Sequence, residues 1–439
     1  MSRAIVYDGD MGSLFPKPHT WQDYVATNWY LMTRAVAGRS DYINPVCMLL
    51  LSIVGVFFIY SAQSSEGGDQ WIMQIVWITL GMIVYVFISA LNYKFFLQNA
   101  HYIYGGCLLL LTYVAIEAVG LDVPLAKTRY GSTRWIDFGA FSIQPAELTK
   151  VGVLLMVSSL LTRSRLGRVK DSINTLSQVV VASALPFLLI FLQPDLGSCL
   201  VFIPMILSIL YVSELSREFF AGVLAFMTLG ISLLSWDIYE YHHYLQENNI
   251  TANENQTRNA YGSSESWLPL KDYQRNRILG FIAPGAVDPQ GIGVSWNRRQ
   301  ALIAAGSGGF TGKGYNEGTQ AKLGYLPTSV APNDFIASVI LEEKGFIGGM
   351  GVLLLFTVLF GNTLRIAQQA RDRFGMFLTI GVSSILAVHV FINLGMAVGV
   401  MPITGLPLPF VSYGGSFLIV CCVLLGLVQS VYRFRKDFS

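Results

Sequence analysis

Long apolar runs separated by short polar segments set the pattern of the chain from residue 45 onward. A helix that crosses a membrane needs about 20 mostly apolar residues, and this criterion predicts about ten helices. Their ranges are 45–61, 71–91, 101–119, 147–162, 178–193, 197–213, 219–236, 335–362, 375–400 and 411–432. The fourth is short, and only four residues separate the fifth from the sixth. The predicted fold class is an all-α polytopic membrane protein.

Composition strengthens this prediction. Of the 439 residues, 53% are hydrophobic and 13% are charged, whereas a soluble domain carries about 25% charged residues. A soluble globular protein, a disordered chain and a collagen-like chain are therefore excluded. The 29 basic and 27 acidic residues nearly balance, so we expect membrane lipids and no nucleic acid as partners. The five cysteines form no C-x-x-C pair and lie in or beside apolar runs, which is typical of packing residues.

Basic residues between the apolar runs predict the orientation, because lysine and arginine concentrate in short cytoplasmic loops. They occur in the loop 163–177 and after residue 432, whereas the loops 62–70 and 401–410 contain none. With ten helices, both termini are expected in the cytoplasm. The external connection 120–146 is the exception, because it contains three basic residues, Lys127, Arg129 and Arg134. This exception indicates that these residues serve another purpose than setting the orientation.

The same pattern divides the chain. We predict a cytoplasmic N-terminal segment at 1–44, helices one to seven at 45–236, a large extracytoplasmic loop at 237–334, helices eight to ten at 335–432 and a cytoplasmic tail at 433–439. The first 44 residues are polar, so no cleavable signal peptide is expected. A loop as long as 237–334 is either disordered or functional. Its first part is polar, and aromatic, basic and glycine residues interleave after Trp267.

Polar residues at the external ends of two helices form the first candidate site. Pro145 is placed to start a helix, which makes Glu147 and Lys150 neighbours on one face. This pair is either a structural ion pair or a cavity-lining pair whose lysine meets an anionic ligand, because ionisable groups in a membrane helix face each other or a cavity. Asp195 directly precedes a helix, and N-capping suffices to explain it.

The long loop contributes further candidates. Arg275 and Arg277 lie together, and Arg298-Arg299-Gln300 leads into a glycine-rich stretch that contains Lys313. Guanidinium groups and glycine-rich backbone suit phosphate oxygens. Plain structural use is nevertheless the favoured interpretation of the glycine-rich turn, and the stretch is not a Walker A motif.

Asp334 stands where the loop returns to the membrane. It is either the N-cap of the eighth helix or a general base whose pKa is raised by partial burial. Glu342 and Glu343, further along that helix, are either buried and paired or face a groove.

The segment Gly405 to Ser416 precedes the last helix, and His389 and Asn393 lie at positions i and i+4 of the ninth. We expect these two side chains to bond to each other or to backbone. No zinc-ligand spacing is present.

Seven motifs follow one another along the chain: Arg134-Trp135, Gln144-Pro145-x-Glu147-x-x-Lys150, Gln193-Pro194-Asp195-Leu196-Gly197, Tyr273-Gln274-Arg275, Gly312-Lys313-Gly314, Asp334-Phe335-Ile336 with Glu342-Glu343, and Gly405 to Ser416. In this order, the motifs resemble the SEDS family (shape, elongation, division and sporulation proteins) over about residues 45–432, and the rod-shape branch more than the division branch.

This resemblance implies a peptidoglycan glycosyltransferase in the bacterial inner membrane that polymerises lipid II during cell-wall elongation. It implies a class B penicillin-binding protein (a transpeptidase) and other cell-wall elongation proteins as partners. The family's catalytic aspartate falls on Asp334, its loop tryptophan on Trp135, and its cavity pair on Glu147 and Lys150. The full set of expected substrate-binding residues is Arg134, Trp135, Glu147, Lys150, Asp195, Arg277, Gln300, Lys313 and Ser412.

The chemistry of that reaction fits the candidate residues. One carboxylate can take the proton of the acceptor hydroxyl, and a pyrophosphate leaving group needs cations, with a divalent cation such as Mg²⁺ or Mn²⁺ as a further candidate. Three alternatives stay open: a flippase for the same lipid-linked precursor, a scaffold, and the division-specific member of the family. A flippase needs charged residues along a path through the membrane, whereas most polar residues here lie near one side.

Overall fold

The computed structural model describes residues 40–435 apart from 66, 119–122, 130–131, 140, 165–166, 168, 194, 249–260, 263–265, 269, 289–290, 292 and 294. The predicted cytoplasmic segment up to residue 39, the end of the predicted tail and the centre of the polar stretch 246–266 therefore lie outside the described residues.

Fourteen helices and three short strands make up the described part of the chain. The helices are α1 (Ile43–Gln63), α2 (Gln70–Ala90), α3 (Tyr93–Ala118), α4 (Pro145–Arg163), α5 (Val169–Leu192), α6 (Leu196–Val212), α7 (Arg217–Glu247), α8 (Asp272–Ile282), α9 (Pro284–Val287), α10 (Trp296–Ser307), α11 (Thr319–Lys322), α12 (Ile336–Gln368), α13 (Arg373–Ala397) and α14 (Gly415–Arg433). Among the described residues, nine helices are long and apolar enough to cross a membrane, and α6 is a shorter apolar helix. The predicted all-α polytopic membrane fold is confirmed.

Three helices form the centre of the bundle. Most of the apolar stretches of α4, α13 and α14 is buried, whereas α2, α3 and α5 are largely exposed at the periphery. α14 packs on α2, α12 packs on α1 and α13, α13 packs on α6, and α4 packs on α3 and α5. The site residues carried by α4 and α13 are therefore deep in the bundle, on helices whose neighbours hold them from several sides.

α7 differs from the other long helices. It continues beyond the predicted end at residue 236 to Glu247, and none of its most apolar stretch is buried in the described structure. Its far end packs instead on α8 through a small separate core that includes Ile238, Tyr241, Leu245 and Leu279. The first turns of the predicted loop 237–334 are thus helical, because Ile238, Tyr241 and Leu245 continue the helical spacing of apolar residues.

The connection between α3 and α4 forms a small antiparallel sheet. Its strands are β1 (Ala126–Arg129), β2 (Ser132–Asp137) and β3 (Ser142–Ile143), in the order β1–β2–β3. Ile136 of β2 lies opposite Ala126 on one side and Ile143 on the other. The sheet ends just before Pro145, which begins α4 as predicted. Arg134, on β2, therefore lies near the end of α4 that carries Glu147.

The glycine-rich stretch of the long loop contacts α12 at a break within that helix. Gly345 has φ 61° and ψ −159°, which breaks the helix after its first nine residues. At this break, Lys313 N–H and Gly314 N–H donate to the carbonyls of Glu342 and Glu343 (both 3.0 Å), and Phe346 N–H donates to Gly309 (2.9 Å). The glycine-rich stretch therefore satisfies backbone groups that the break in α12 leaves open.

Candidate functional site

Asp334 lies in the turn before α12, and the structure excludes one of its two predicted roles. The N-cap of α12 is Phe335, and no side chain caps the helix, so the interpretation of Asp334 as an N-cap is wrong. Asp334 is half-buried. Burial raises the pKa of Asp334 to about 6, although the nearby guanidinium groups of Arg277 and Arg134 lower it. A carboxylate that titrates near neutral pH can accept a proton.

The main chain around Asp334 is fixed to the segment 405–413. Ser412 Oγ donates to the carbonyl of Asn333 (2.5 Å), and Tyr413 N–H donates to the carbonyl of Pro332 (2.9 Å). The Asp334 carboxylate itself lies against Gly405, where a Cβ would be 3.6 Å from Oδ2. Ser412 thus supports the backbone beside Asp334, and its predicted contact with substrate stays a prediction.

Asp195 and Arg134 form a second group of charged side chains near Asp334. Asp195 caps α6 as predicted, because its Oδ1 accepts from Ser198 N–H (3.2 Å). Its Oδ2 accepts from Gln144 Nε2 (3.0 Å), and Arg134 Nη1 lies 3.9 Å from Oδ1. Arg134 Nε also donates to the carbonyl of Gln193 (3.1 Å). Asp195 therefore holds Arg134, and both charges act on the pKa of Asp334.

Trp135 follows Arg134 on β2 and is half-buried. Successive side chains of a strand point to opposite faces of the sheet, so Trp135 faces away from the side on which Arg134 meets Asp195. A close approach also joins the start of α6 to the chain just before the segment 405–413. A Cβ on Gly197 would lie 2.7 Å from the carbonyl of Thr404, which explains why glycine stands two residues after the capping aspartate.

Glu147 and Lys150 form the predicted i,i+3 pair, with Lys150 Nζ 2.7 Å from Glu147 Oε1. Both side chains are buried. Lys150 Nζ also lies 3.0 Å from His389 Nε2, and His389 Nδ1 lies 3.2 Å from the carbonyl of Pro407. A neutral imidazole with its hydrogen on Nδ1 satisfies both contacts. The pair therefore connects α4 through His389 to the segment beside Asp334.

Lys313 belongs to a different cluster, beside the break in α12. Its Nζ lies 2.6 Å from Glu342 Oε1 and 2.8 Å from Thr319 Oγ1. Glu342 and Glu343 are both buried, and Glu343 accepts from Ser61 Oγ and from Asn316 N–H. Both carboxylates are therefore buried, as one alternative predicted, but only Glu342 is paired with a cation, whereas Glu343 is held by hydrogen bonds. The predicted contact of Lys313 with pyrophosphate stays a prediction.

The remaining predicted residues lie on the helices of the long loop. Arg277 is exposed on α8, close enough to Asp334 to lower its pKa. Gln300 is buried in α10. In the part of the chain that the structure describes, no three His, Cys, Asp or Glu side chains gather as metal ligands. The structure thus places Arg134, Asp195 and Arg277 near enough to Asp334 for their charges to act on its pKa.

Two residues at the site were assigned no site role by the sequence. His389 contacts Lys150 and Pro407, and Asn393 Nδ2 donates to the carbonyls of Asp334 (2.9 Å) and Leu406 (2.8 Å). The expectation that both side chains bond to backbone is confirmed. Their i,i+4 spacing was the signal, but it did not show which loop they would contact.

These features define a polytopic membrane protein with a half-buried carboxylate, Asp334, at one end of the bundle, where Arg277 and Arg134 act on its pKa. The chain belongs to the SEDS family: the FtsW/RodA/SpoVE family model, described as "Cell cycle protein", matches residues 42–437.

Curated relatives cover nearly the whole chain. The peptidoglycan glycosyltransferase MrdB of Escherichia coli K12 is 32% identical over 400 residues, which are 91% of this chain and 95% of MrdB. The peptidoglycan glycosyltransferase RodA of Treponema pallidum is 29% identical over 436 residues, which are 89% of this chain and 97% of that protein. The stage V sporulation protein E of Bacillus subtilis is 30% identical, with 90% and 98% covered.

Solved structures share the fold. A chain of a peptidoglycan synthase complex that coordinates polymerization and crosslinking is 26% identical, with a TM-score of 0.68 over 91% of this chain and 99% of that chain. Rod shape determining protein RodA of Thermus thermophilus is 24% identical, with a TM-score of 0.60 over 91% of this chain and 98% of that chain, and this likeness supports the fold alone.

Proposed function

We propose that this chain is a peptidoglycan glycosyltransferase that polymerises lipid II into glycan strands, with Asp334 as the general base. The observation that carries the proposal is the placement of Asp334. It is half-buried at one end of a membrane bundle, burial raises its pKa to about 6, and Arg277 and Arg134 lie near it. Relatives at about 30% identity bear the name of this activity.

The reaction follows from the charges at the site. The 4-hydroxyl of the acceptor sugar gives its proton to Asp334 as its oxygen attacks the anomeric carbon of the donor sugar. The bond from that carbon to the lipid pyrophosphate breaks, and the pyrophosphate leaves with both electrons of the bond. The guanidinium groups of Arg134 and Arg277 offset its negative charge. No proton donor is needed for this leaving group.

A divalent cation stays part of the proposal only as a partner of the substrate. Mg²⁺ binds proteins through one or two carboxylates together with substrate phosphates. Asp334 makes no hydrogen bond through its carboxylate to any described residue, so it would be the protein ligand of such an ion. Asp195 is a weaker candidate, because Ser198 and Gln144 already occupy its oxygens.

The setting of the enzyme is proposed from the same observations. Arg163, Arg373 and Arg433 lie at the ends of their helices opposite the Asp334 end, as positively charged loops do on the cytoplasmic side. We place the chain in the bacterial inner membrane with both termini in the cytoplasm and Asp334 outside. A chain of a peptidoglycan synthase complex shares the fold, which supports a class B penicillin-binding protein as the partner during cell-wall elongation.

The test uses the purified protein with its penicillin-binding partner and labelled lipid II. Wild type is expected to make glycan strands, and Asp334→Ala is expected to make none. Asp171→Ala is the matched control, because Asp171 is exposed in the first turn of α5, and it should retain full synthesis. Strand synthesis by Asp334→Ala at the wild-type rate would refute the role of Asp334. Movement of lipid II across vesicles without strand synthesis would favour the flippase.

A further inference from the structure

Asn393 connects three parts of the site through one amide group. It lies on α13, fully buried. Its Nδ2 donates to the carbonyl of Asp334, which precedes α12, and to the carbonyl of Leu406, which belongs to the segment before α14. The two carbonyls are distant in sequence, and each is a main-chain group of a segment without regular structure. Asn393 is therefore a junction between α13 and two loops.

The chemistry of this junction requires an amide. Both partners of Asn393 are carbonyl oxygens, which can only accept, so the side chain must present two N–H donors at one nitrogen. An aspartate carboxylate at this position has the same shape, but it would place an acceptor oxygen against the carbonyl oxygens of Asp334 and Leu406, with no hydrogen to share between them. Asn393 also contacts the main chain of Asp334 and leaves its carboxylate available.

The rest of the segment 405–413 is held independently of Asn393. Ser412 Oγ accepts from Leu408 N–H (2.8 Å) and donates to Asn333, and Pro407 meets His389. Loss of the Asn393 amide should therefore release the carbonyl of Asp334 without unfolding the segment. The immediate effect would be on where the Asp334 carboxylate lies relative to Gly405 and the arginines.

We infer that Asn393 is a positioning residue for the general base: its amide fixes the backbone of Asp334 against the segment 405–413 and so sets the place of the carboxylate. The inference rests on the proposed function. Asn393 is fully buried, and its amide nitrogen is taken up by two main-chain carbonyls, so it would act through Asp334 and not on the substrate. Its removal is therefore expected to lower kcat and to leave KM nearly unchanged, because a displacement of the base affects the transition state more than binding.

The experiment measures lipid II polymerisation by Asn393→Ala and Asn393→Ser, with the fraction of folded enzyme determined for each. For Asn393→Ala we expect kcat to fall about 10- to 100-fold and KM to change by less than about twofold. A carboxylate released toward water loses the effect of burial, so the acid limb of the kcat profile should move to lower pH. Asn393→Ser keeps one donor and should give an intermediate kcat.

Asn362→Ala is the matched control. Asn362 is also a buried amide whose Nδ2 donates to two oxygens, those of Asp41 (2.6 Å) and Asn44 (3.0 Å), at the opposite end of α12. Its loss should lower stability and leave kcat per folded molecule and the pH profile unchanged.

The outcomes separate the two claims. If Asp334→Ala still polymerises lipid II, the proposed function of Asp334 fails. If Asp334→Ala is inactive while both Asn393 variants keep kcat within twofold of wild type and an unmoved acid limb, the inference about Asn393 alone is overturned. Should Asn393→Ala not fold, Asn393→Ser decides by the same criteria.

Discussion

The buried pair of Glu147 and Lys150 allows a prediction with a magnitude. The side chains are 4% and 1% exposed, and their charged atoms are 2.7 Å apart. Lys150→Met keeps much of the side-chain volume but leaves the Glu147 carboxylate buried without its cation. Removal of one partner of a buried ion pair costs about 3–5 kcal/mol. We expect the free energy of unfolding to fall by that amount, and His389 Nε2 also loses its contact with the Lys150 ammonium.

A double variant tests whether the lost charge is the cause. Glu147→Gln combined with Lys150→Met leaves two neutral groups, and we expect less than about 2 kcal/mol of destabilisation, because no uncompensated charge remains. The measurement is unfolding in SDS followed by tryptophan fluorescence, with the exposed Lys170→Met as control. If Lys150→Met costs no more than the double variant, the reasoning from an uncompensated charge is wrong.

Three further predictions concern the same structure. The rate of glycan-strand synthesis should be about tenfold lower at pH 5 than at its plateau near neutral pH, because Asp334, with its pKa raised to about 6, is mostly protonated at pH 5 and cannot act as a base. A rate that stays constant between pH 5 and 7 would contradict this. Gly345→Ala should destabilise by about 1–3 kcal/mol in a thermal shift assay, since Gly345 has a positive φ and no room for a Cβ, whereas Gly351→Ala should not. Arg275→Ala removes the guanidinium that pairs with the fully buried Asp237. Hydrogen exchange should therefore rise across α8 and the end of α7, whereas the control Gly351→Ala should show wild-type exchange.

The hydrophobic pattern predicted the bundle because length and apolarity suffice to define a helix that crosses a membrane. Most boundaries agree within a few residues, and α4 begins at the predicted Pro145. The extension of α7 was missed because its final turns mix apolar with polar residues. The break at Gly345 was also missed, since a glycine in an apolar run does not reveal its φ angle.

The candidate site was predictable where neighbours in sequence are neighbours in space. The Glu147–Lys150 pair and the Asp195 cap follow from spacing alone. The contacts of His389 and Asn393 join α13 to residues that precede α12 and α14, and no local pattern encodes such distant partners. For the same reason, the sequence did not separate Lys313, paired with Glu342, from the arginines beside Asp334.

The insertion of the glycine-rich stretch into α12 has a consequence for biogenesis. The residues that complete the break are made about thirty positions before it, so they leave the ribosome first and must wait for their partners. Until then, the amides of Lys313 and Gly314 lack the carbonyls of Glu342 and Glu343 that they meet in the folded protein, and a lipid interior offers them no water. Membrane insertion of this region is therefore expected to finish in one concerted event. In that event the glycine-rich stretch docks on α12 after synthesis of α12 is complete.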